Sequence, residues 1–210
     1  MTPEPLVPLT DLERDALGEL SNIAMGKAAD SLRKMIQHEV LLAVPLVDIL
    51  STRAAANLVG KPDNHQLVAV RQDFAGPFSG RALLIFPEAQ SLELVRSIVG
   101  EEHSLEDVID LEQEALAETG NIILNACLAT IANVLRRSMR MSLPSVIRGD
   151  GATLFETRSS DPDGDLVLFL YIDFTIKSRD VRGFIALLMD LPSITALKEI
   201  VGDFIEGIEK

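Results

Sequence analysis

Two copies of a Glu-x-x-Asn pair are the feature of this sequence best suited to chemistry: Glu19 with Asn22, and Glu118 with Asn121. Residues three apart on an α-helix project from the same face, so each pair would present a carboxylate beside a carboxamide. A neutral amide donates to and accepts from water, and can therefore hold a water molecule in place for attack. Asparagine is a poor residue for a helix interior, because its side chain competes for backbone hydrogen bonds. Its repetition beside a glutamate favours a functional interpretation, although common ancestry of the two copies could also leave such a pair.

Each pair lies within a longer polar strip on its predicted helix. The further members of these strips are Asp15 and Gly26 beside the first pair, and Glu114 and Asn125 beside the second. We interpret these four residues as accessory contacts for a partner, whereas one such strip alone would indicate an ordinary solvated helix face. A glycine inside a helix costs about 1 kcal/mol relative to alanine. Gly26 therefore indicates either the close approach of a partner or close packing against a neighbouring helix.

The sequence repeats itself at a long period. Residues 11–23 and 110–122 are identical at eight of thirteen positions, at an offset of 99 residues. A proline follows each asparagine at the same distance, as Pro45 in the first half and Pro144 in the second. Each half then reads as a helix, a short strand, a variable region, two long strands and an amphipathic helix. We expect the two halves to share one sheet or one core, because each half is already the size of a small domain.

The two long helices carry the pairs, and their starts are predicted from capping residues. Thr10 with Glu13 forms a capping box for the first helix. The apolar positions that follow, among them Leu12, Ile23 and Met35, predict a buried stripe about seven turns long.

The second helix is predicted from near Asp110, with Gln113 as its box partner, to about Arg140. The single cysteine, Cys127, falls in an apolar part of this helix. We interpret it as a buried small hydrophobe, because no nearby histidine supplies the base that a catalytic thiol needs.

Composition excludes several classes of function. A net charge of −13 argues against nucleic-acid binding, which needs a basic face. The three histidines are isolated, so no metal site is expected. The sequence contains no run of 18 apolar residues, which membrane insertion would need, and the first residues lack the features of a signal peptide. We therefore expect a cytoplasmic protein.

The pattern Asp15-x3-Glu19-x2-Asn22-x22-Pro45 resembles that of the CheC/CheX/FliY family of CheY-phosphate phosphatases. The second copy runs from Glu114 to Pro144 at the same spacing and departs from the family only at its first position, where glutamate replaces aspartate or serine. Two complete patterns in about 200 residues are most similar to the CheC type. The resemblance implies an α/β (α+β) fold that is internally duplicated and pseudo-twofold, with long helices packed on a β-sheet.

The division that follows is one domain, 1–210, made of two repeats at about 10–108 and 109–208. In such a chain each repeat carries its own site, so a monomer is sufficient.

The resemblance also implies a substrate and a mechanism. The substrate would be the aspartyl-phosphate of a CheY-like response regulator in chemotaxis signalling. Asn22 and Asn121 would orient the attacking water, as glutamine does in small GTPases. Glu19 and Glu118 would dock the partner by pairing with a lysine of the regulator. The chain itself would bind no cofactor, because the Mg²⁺ belongs to the partner.

One alternative from another class stays open. The strips could bind a response regulator, or a CheD-like deamidase that partners this family, without turnover. The intact glutamate and asparagine in both halves favour catalysis. Glycoside hydrolysis is disfavoured, because it needs two carboxylates facing each other across one cleft.

Overall fold

The fold is a mixed α/β arrangement in which helices cover both faces of one antiparallel sheet, as a computed structural model of the chain shows. The structure describes residues 8–60, 66–100, 104–134, 136–156, 165–176 and 179–208. The helices are α1 (Asp11–Ile36), α2 (Thr52–Val59), α3 (Glu88–Val99), α4 (Leu105–Val134), α5 (Gly151–Leu154) and α6 (Leu191–Ile208). The strands are β1 (Val40–Ser51), β2 (Leu67–Ala75), β3 (Gly80–Pro87), β4 (Arg140–Met141), β5 (Ser145–Gly149), β6 (Asp165–Ile176) and β7 (Arg179–Asp190).

The order of strands in the sheet is β1-β6-β7-β3-β2, with β4 and β5 both pairing with β2 at the far edge. When β1, β6 and β7 are matched with β4/β5, β2 and β3, the order reads the same from either edge. The first strand of each half pairs with a strand of the other half, and β3 pairs with β7 at the centre. This symmetry supports the predicted division into two repeats and confirms the expected fold class. The prediction of a short first strand was wrong for the first half, where β1 has 12 residues.

Capping boxes begin both long helices, but only one was located correctly from the sequence. In α1 the Thr10 hydroxyl accepts from the Glu13 backbone and Glu13 accepts from the Thr10 backbone, as predicted. In α4 the equivalent bonds join Ser104 and Asp107. The prediction of a start near Asp110 was therefore wrong, because this box lies upstream of it. The predicted end near Arg140 was also too late, since the described helix ends at Val134.

Two apolar cores hold the helices to the sheet. The larger core lies between the sheet and the long helices, with Leu32, Leu128 and Phe174 among its fully buried members. The smaller core covers the opposite face, where α2 and α5 pack. The short helix predicted in the segment STRAAANLVG is confirmed as α2, while part of its diverged counterpart lies outside the described residues.

α4 is apolar enough to be compared with a membrane-spanning helix. A stretch within Glu106–Val134 has a mean hydropathy of 1.3, and 56% of it is buried inside the protein. It packs against α1, α3 and β2. These contacts are those of a core helix.

α1 and α4 lie side by side and run antiparallel. They meet where Lys27 Nζ lies 3.5 Å from Thr130 Oγ1. α6 contacts the start of α1 through Lys198 and Glu13, whose Nζ and Oε2 are 3.3 Å apart. The same helix lines a cavity with Val134, at the end of α4. The α6 residues from Lys198 to Gly207 span only about 14 Å at 1.5 Å of rise per residue. Because this short stretch lies near both the start of α1 and the end of α4, the two long helices run in opposite directions.

Candidate active site

The first pair is presented on an exposed face of α1. Glu19 and Asn22 are both exposed, as are Asp15 and Gly26 on either side. This confirms the predicted polar strip. Within the described part of the chain, the carboxylates of Asp15 and Glu19 have no hydrogen bond or ion pair. They are therefore available to a cation on another molecule.

The amide of Asn22 is held by the backbone of β1. Its Oδ1 accepts from the Val44 N–H at 2.9 Å, and its Nδ2 donates to the Val44 carbonyl at 3.4 Å. Because a backbone N–H can only donate and a carbonyl can only accept, these bonds fix which end of the amide is oxygen. Asn22 keeps one N–H and one oxygen lone pair for other contacts.

Pro45 explains why Val44 is available to Asn22. The register between β1 and β6 shifts between Ala43 and Leu46, which marks a β-bulge. Proline has no N–H to give to the ladder and is tolerated in a strand at such a bulge. The backbone of Val44 is thereby released from β6 and turns towards α1. The spacing of 22 residues between asparagine and proline thus connects a helix side chain to the strand that orients it.

The second pair has the same place on α4 but different surroundings. Glu118 and Glu114 are exposed and have no hydrogen bond or ion pair within the residues that the structure describes, whereas Asn121 and Asn125 are half-buried. Pro144 lies between β4 and β5, where the pairing of this edge with β2 is interrupted. The interruption is the counterpart of the bulge in β1.

Side chains, rather than backbone groups, hold Asn121. Its Oδ1 accepts from Gln72 Nε2 at 3.2 Å and from Asn125 Nδ2 at 2.6 Å. Gln72 Nε2 also donates to the Ser142 carbonyl at 3.0 Å, within the interruption itself. Asn125 therefore supports its neighbour within this helix. Its predicted contact with a partner remains untested.

A glycine brings α4 close enough to the sheet for these bonds. A Cβ added at Gly120 would lie 2.4 Å from the Val70 Cγ1 atom, far inside contact distance. Val70 and Gln72 project from the same side of β2, since residues two apart on a strand share a face. The close approach at Gly120 thus places Asn121 within reach of Gln72.

Gly26 is different, because a Cβ added there would meet nothing within 4 Å. Close packing against a neighbouring helix, one of the two explanations that the sequence left open, is therefore excluded among the described residues. The approach of a partner, the other explanation that the sequence left open, stays a prediction.

Another repeated glutamate serves structure rather than chemistry. Glu112 is buried, bonded to Arg148 and to the Ser91 hydroxyl, and it ties α4 to α3 and β5. Its counterpart Glu13 bonds Thr10 and pairs with Lys198 of α6. Because this glutamate is also identical in the two halves, identity alone does not distinguish it from the Glu19 and Glu118 pair. Exposure distinguishes them, since Glu112 is buried and Glu13 half-buried, whereas Glu19 and Glu118 are exposed.

Cys127 is buried, as predicted, and burial raises the pKa of its thiol to about 12. A protonated thiol in an apolar core is neither a nucleophile nor a metal ligand. Among the residues that the structure describes, no group of three or more His, Cys, Asp or Glu side chains is arranged to hold a metal ion.

Sequence reasoning missed Gln72 and Val44, the groups that orient the two asparagines. Val44 acts through its backbone, which carries no sequence signal. Gln72 had one available signal, a glutamine within the apolar-rich strand LVAVRQDF at a position that alternates with apolar core residues.

Two profiles of known protein families match the sequence of this chain. The sequence profile described as "Chemotaxis phosphatase CheX" matches residues 68–162, and that described as "CheC-like family" matches residues 12–48. This chain is similar in sequence to the CheC, CheX and FliY proteins. The CheC-like match includes Glu19, Asn22 and Pro45. The CheX match includes the pair on α4.

Two curated relatives are from Bacillus subtilis (strain 168). "Flagellar motor switch phosphatase FliY" is 22% identical over 97% of this chain and 53% of that protein. "CheY-P phosphatase CheC" is 24% identical over 64% of this chain and 65% of that protein. The chain thus spans between half and two thirds of the length of these two relatives. The match to FliY covers more of this chain than the match to CheC.

The fold has a solved counterpart. The crystal structure of Thermotoga maritima FliY matches 93% of this chain and 98% of that chain, with a TM-score of 0.69 and 18% identity. At this level of identity the similarity establishes the fold and leaves the chemistry to the side chains.

Proposed function

We propose that this chain is a hydrolase that removes the phosphoryl group from the aspartyl-phosphate of a CheY-like response regulator in chemotaxis signalling. One observation carries the proposal. In both halves, an exposed glutamate without a partner in the described structure stands one turn before an asparagine whose amide is fixed by tertiary hydrogen bonds. Both curated relatives described above are named phosphatases, and the name of one of them gives CheY-P as its substrate, which supports this substrate class.

The reaction needs little from this chain beyond position. A water attacks phosphorus, the bond between phosphorus and the aspartyl oxygen breaks, and the products are inorganic phosphate and a free aspartate. The proton lost by the water passes to phosphate or solvent. Phosphoryl transfer of this kind depends on alignment and charge stabilisation. A neutral amide orients the water without adding negative charge beside the phosphoryl oxygens, and the Mg²⁺ is supplied by the regulator.

The glutamates have the complementary role of docking. Glu19 and Glu118 are exposed carboxylates that face away from the core, so a lysine at the active site of the regulator can reach them. The net charge of −13 attracts a basic face of the partner and raises the rate of encounter. Asp15 and Glu114, one turn before each glutamate, extend this contact. We place the encounter in the cytoplasm, and a monomer suffices because one chain carries both sites.

The test is phosphate release from a phosphorylated CheY-like regulator in Mg²⁺, with wild type, Asn22→Ala, Asn121→Ala and the double variant. We expect wild type to accelerate hydrolysis and the double variant to lose that acceleration while remaining folded by circular dichroism. The exposed Asn133→Ala, at the far end of α4 from the pair, is the matched control and should retain the wild-type rate.

A different result would favour the non-catalytic alternative. If wild type binds the phosphorylated regulator, or a CheD-like deamidase, and adds nothing to the regulator's own rate of hydrolysis, the chain is an interaction module. Retention of full activity in the double variant would instead disprove the role assigned to the asparagines.

A further inference from the structure

Gln72 is a polar side chain in the main core, between the sheet and the long helices. It is 1% exposed and lies on β2, two residues from the buried Val70 and Phe74. Its Nε2 donates to Asn121 Oδ1 and to the Ser142 carbonyl. Its Oε1 is a buried acceptor with no partner in the described structure. Burying an acceptor without a partner destabilises the fold, so a purely structural reason for glutamine here is weak.

The other half of the protein shows what the sheet needs at this position. Val70 pairs with Val146 in β5, as Leu170 pairs with Val47 in β1, so Gln72 is the counterpart of Ile172. Ile172 is 1% exposed and apolar. The same place in the fold is therefore filled by a hydrocarbon in the half where the backbone of Val44 already holds the asparagine.

The bonds of Gln72 also determine the orientation of Asn121. The Ser142 carbonyl can only accept, so the nitrogen of the Gln72 amide must lie at that end. The same nitrogen faces Asn121, which must present its oxygen in return. Asn125 then presents its nitrogen to the same oxygen.

We propose that Gln72 is a positioning residue for Asn121. Its hydrogen bond turns the amide oxygen of Asn121 inward and leaves the amide nitrogen of Asn121 free to donate. This inference rests on the function proposed above, because it assigns Asn121 to the reacting water. Both lone pairs of Asn121 Oδ1 are occupied, whereas Asn22 keeps one lone pair free. The two sites consequently present different groups: the second offers two N–H donors, and the first offers one donor and one acceptor.

The kinetic test isolates the second site. In the Asn22→Ala background, Gln72→Ile installs the residue that the other half carries at this position, so the sheet is expected to fold. We expect kcat for phosphate release to fall by about tenfold or more, because a misplaced group loses alignment, while KM for the phosphorylated regulator stays within about twofold. Gln90→Leu is the matched control and should leave kcat unchanged, because Gln90 lies on α3 and, among the described residues, its side chain accepts a hydrogen bond only from the Arg182 backbone N–H.

A second variant keeps the test decisive if Gln72→Ile folds poorly. Asn125→Ala removes the other donor to Asn121 Oδ1 at a position where alanine favours the helix. It should lower kcat in the same direction, again without a matching rise in KM. If both variants fold and retain the kcat of Asn22→Ala alone, the positioning role is wrong.

A spectroscopic measurement does not depend on turnover. The side-chain NH₂ cross-peaks of Asn121 in a ¹⁵N–¹H spectrum are assigned by their loss in Asn121→Ala. Gln72→Ile should move them, because Oδ1 loses a hydrogen bond, and Gln90→Leu should not. If the cross-peaks shift but the wild-type protein has no phosphatase activity, the contact between Gln72 and Asn121 is supported and the proposed function is rejected. Cross-peaks that do not shift would reject the contact itself.

Discussion

At the scale of single residues, the chemistry was easier to predict than its support. The types and spacing of Glu19, Asn22, Glu118 and Asn121 were sufficient to predict two matching polar pairs on the long helices, of which Asn121 is half-buried and the other three side chains are exposed. The groups that hold the asparagines were not predictable in this way. Val44 acts through its backbone, and Gln72 lies 49 positions before Asn121 in sequence.

The docking role of the glutamates gives a prediction at this scale. In the Asn22→Ala background, Glu118→Gln should raise KM for the phosphorylated regulator by about three- to tenfold, the equivalent of one exposed ion pair of about 1 kcal/mol. kcat should change by less than about twofold, because the amide of Asn121 is untouched. The rise should shrink as salt is added.

Glu106→Gln is the control for that experiment, since this exposed glutamate lies in the first turn of α4, away from the pair. Steady-state phosphate release at several salt concentrations measures both constants. An equal rise in KM for the control would mean that net charge, rather than Glu118, draws the regulator in. A large fall in kcat for Glu118→Gln would give this glutamate a part in the chemistry.

At the scale of elements, local capping signals were predicted more readily than the burial of helix faces. The capping box of α1, between residues three apart, was predicted, whereas the equally local box of α4 was placed six residues too late. The predicted buried stripe was only partly correct, because Leu12, Ile23 and Met35 are exposed. The buried face instead includes Leu17, Ser21 and Met25. Which face of a helix is buried depends on where the sheet lies, and the sheet is built from strands distant in sequence.

The prolines connect elements, and their removal should be selective. In the Asn121→Ala background, Pro45→Ala restores an N–H that can join the ladder with β6 and draw Val44 away from Asn22. We expect kcat at the first site to fall by about tenfold. Phosphate release by the purified variants measures the effect.

The reciprocal variant is the control. In the Asn22→Ala background, Pro144→Ala should lower the rate at the second site, and in the Asn121→Ala background it should leave the first site unaffected. Loss of both sites from either proline change would indicate a general loss of fold. Thermal unfolding of each variant separates that outcome from a local one.

At the scale of the whole molecule, the repeat in sequence predicted a symmetric fold, and the sheet order has that symmetry. The exchange of strands between the halves was not predictable, because pairing partners leave no mark on the pattern of a single strand. The symmetry also has limits: α2 has eight residues where α5 has four.

The core contributes a dependence of stability on pH. Cys127 titrates near its usual pKa in the unfolded chain and at about 12 in the folded protein, where burial opposes the charged form. The stability tied to the neutral thiol is complete below the unfolded pKa and is lost as pH rises towards 12. Between about pH 9 and 11 the free energy of unfolding should fall by about 1.4 kcal/mol per pH unit from this group.

Urea unfolding of wild type and Cys127→Ala at pH 8, 9, 10 and 11 measures that slope. The alanine variant should lack the component, while other groups that titrate in this range are common to both proteins. Parallel curves for the two proteins would show that the thiol ionises in the folded state as readily as in the unfolded one.

The exchange of strands has one more consequence. β3 and β7 meet at the centre of the sheet, and β1 and β5 are each paired with the opposite half. A half on its own would therefore expose unpaired strand edges on both sides, which bind other strands readily. Cleaved within the residues that join α3 to α4, the chain should yield two fragments that are each incomplete and that recognise one another. The protein is in this sense a covalently tethered heterodimer, and its halves are natural candidates for a split reporter.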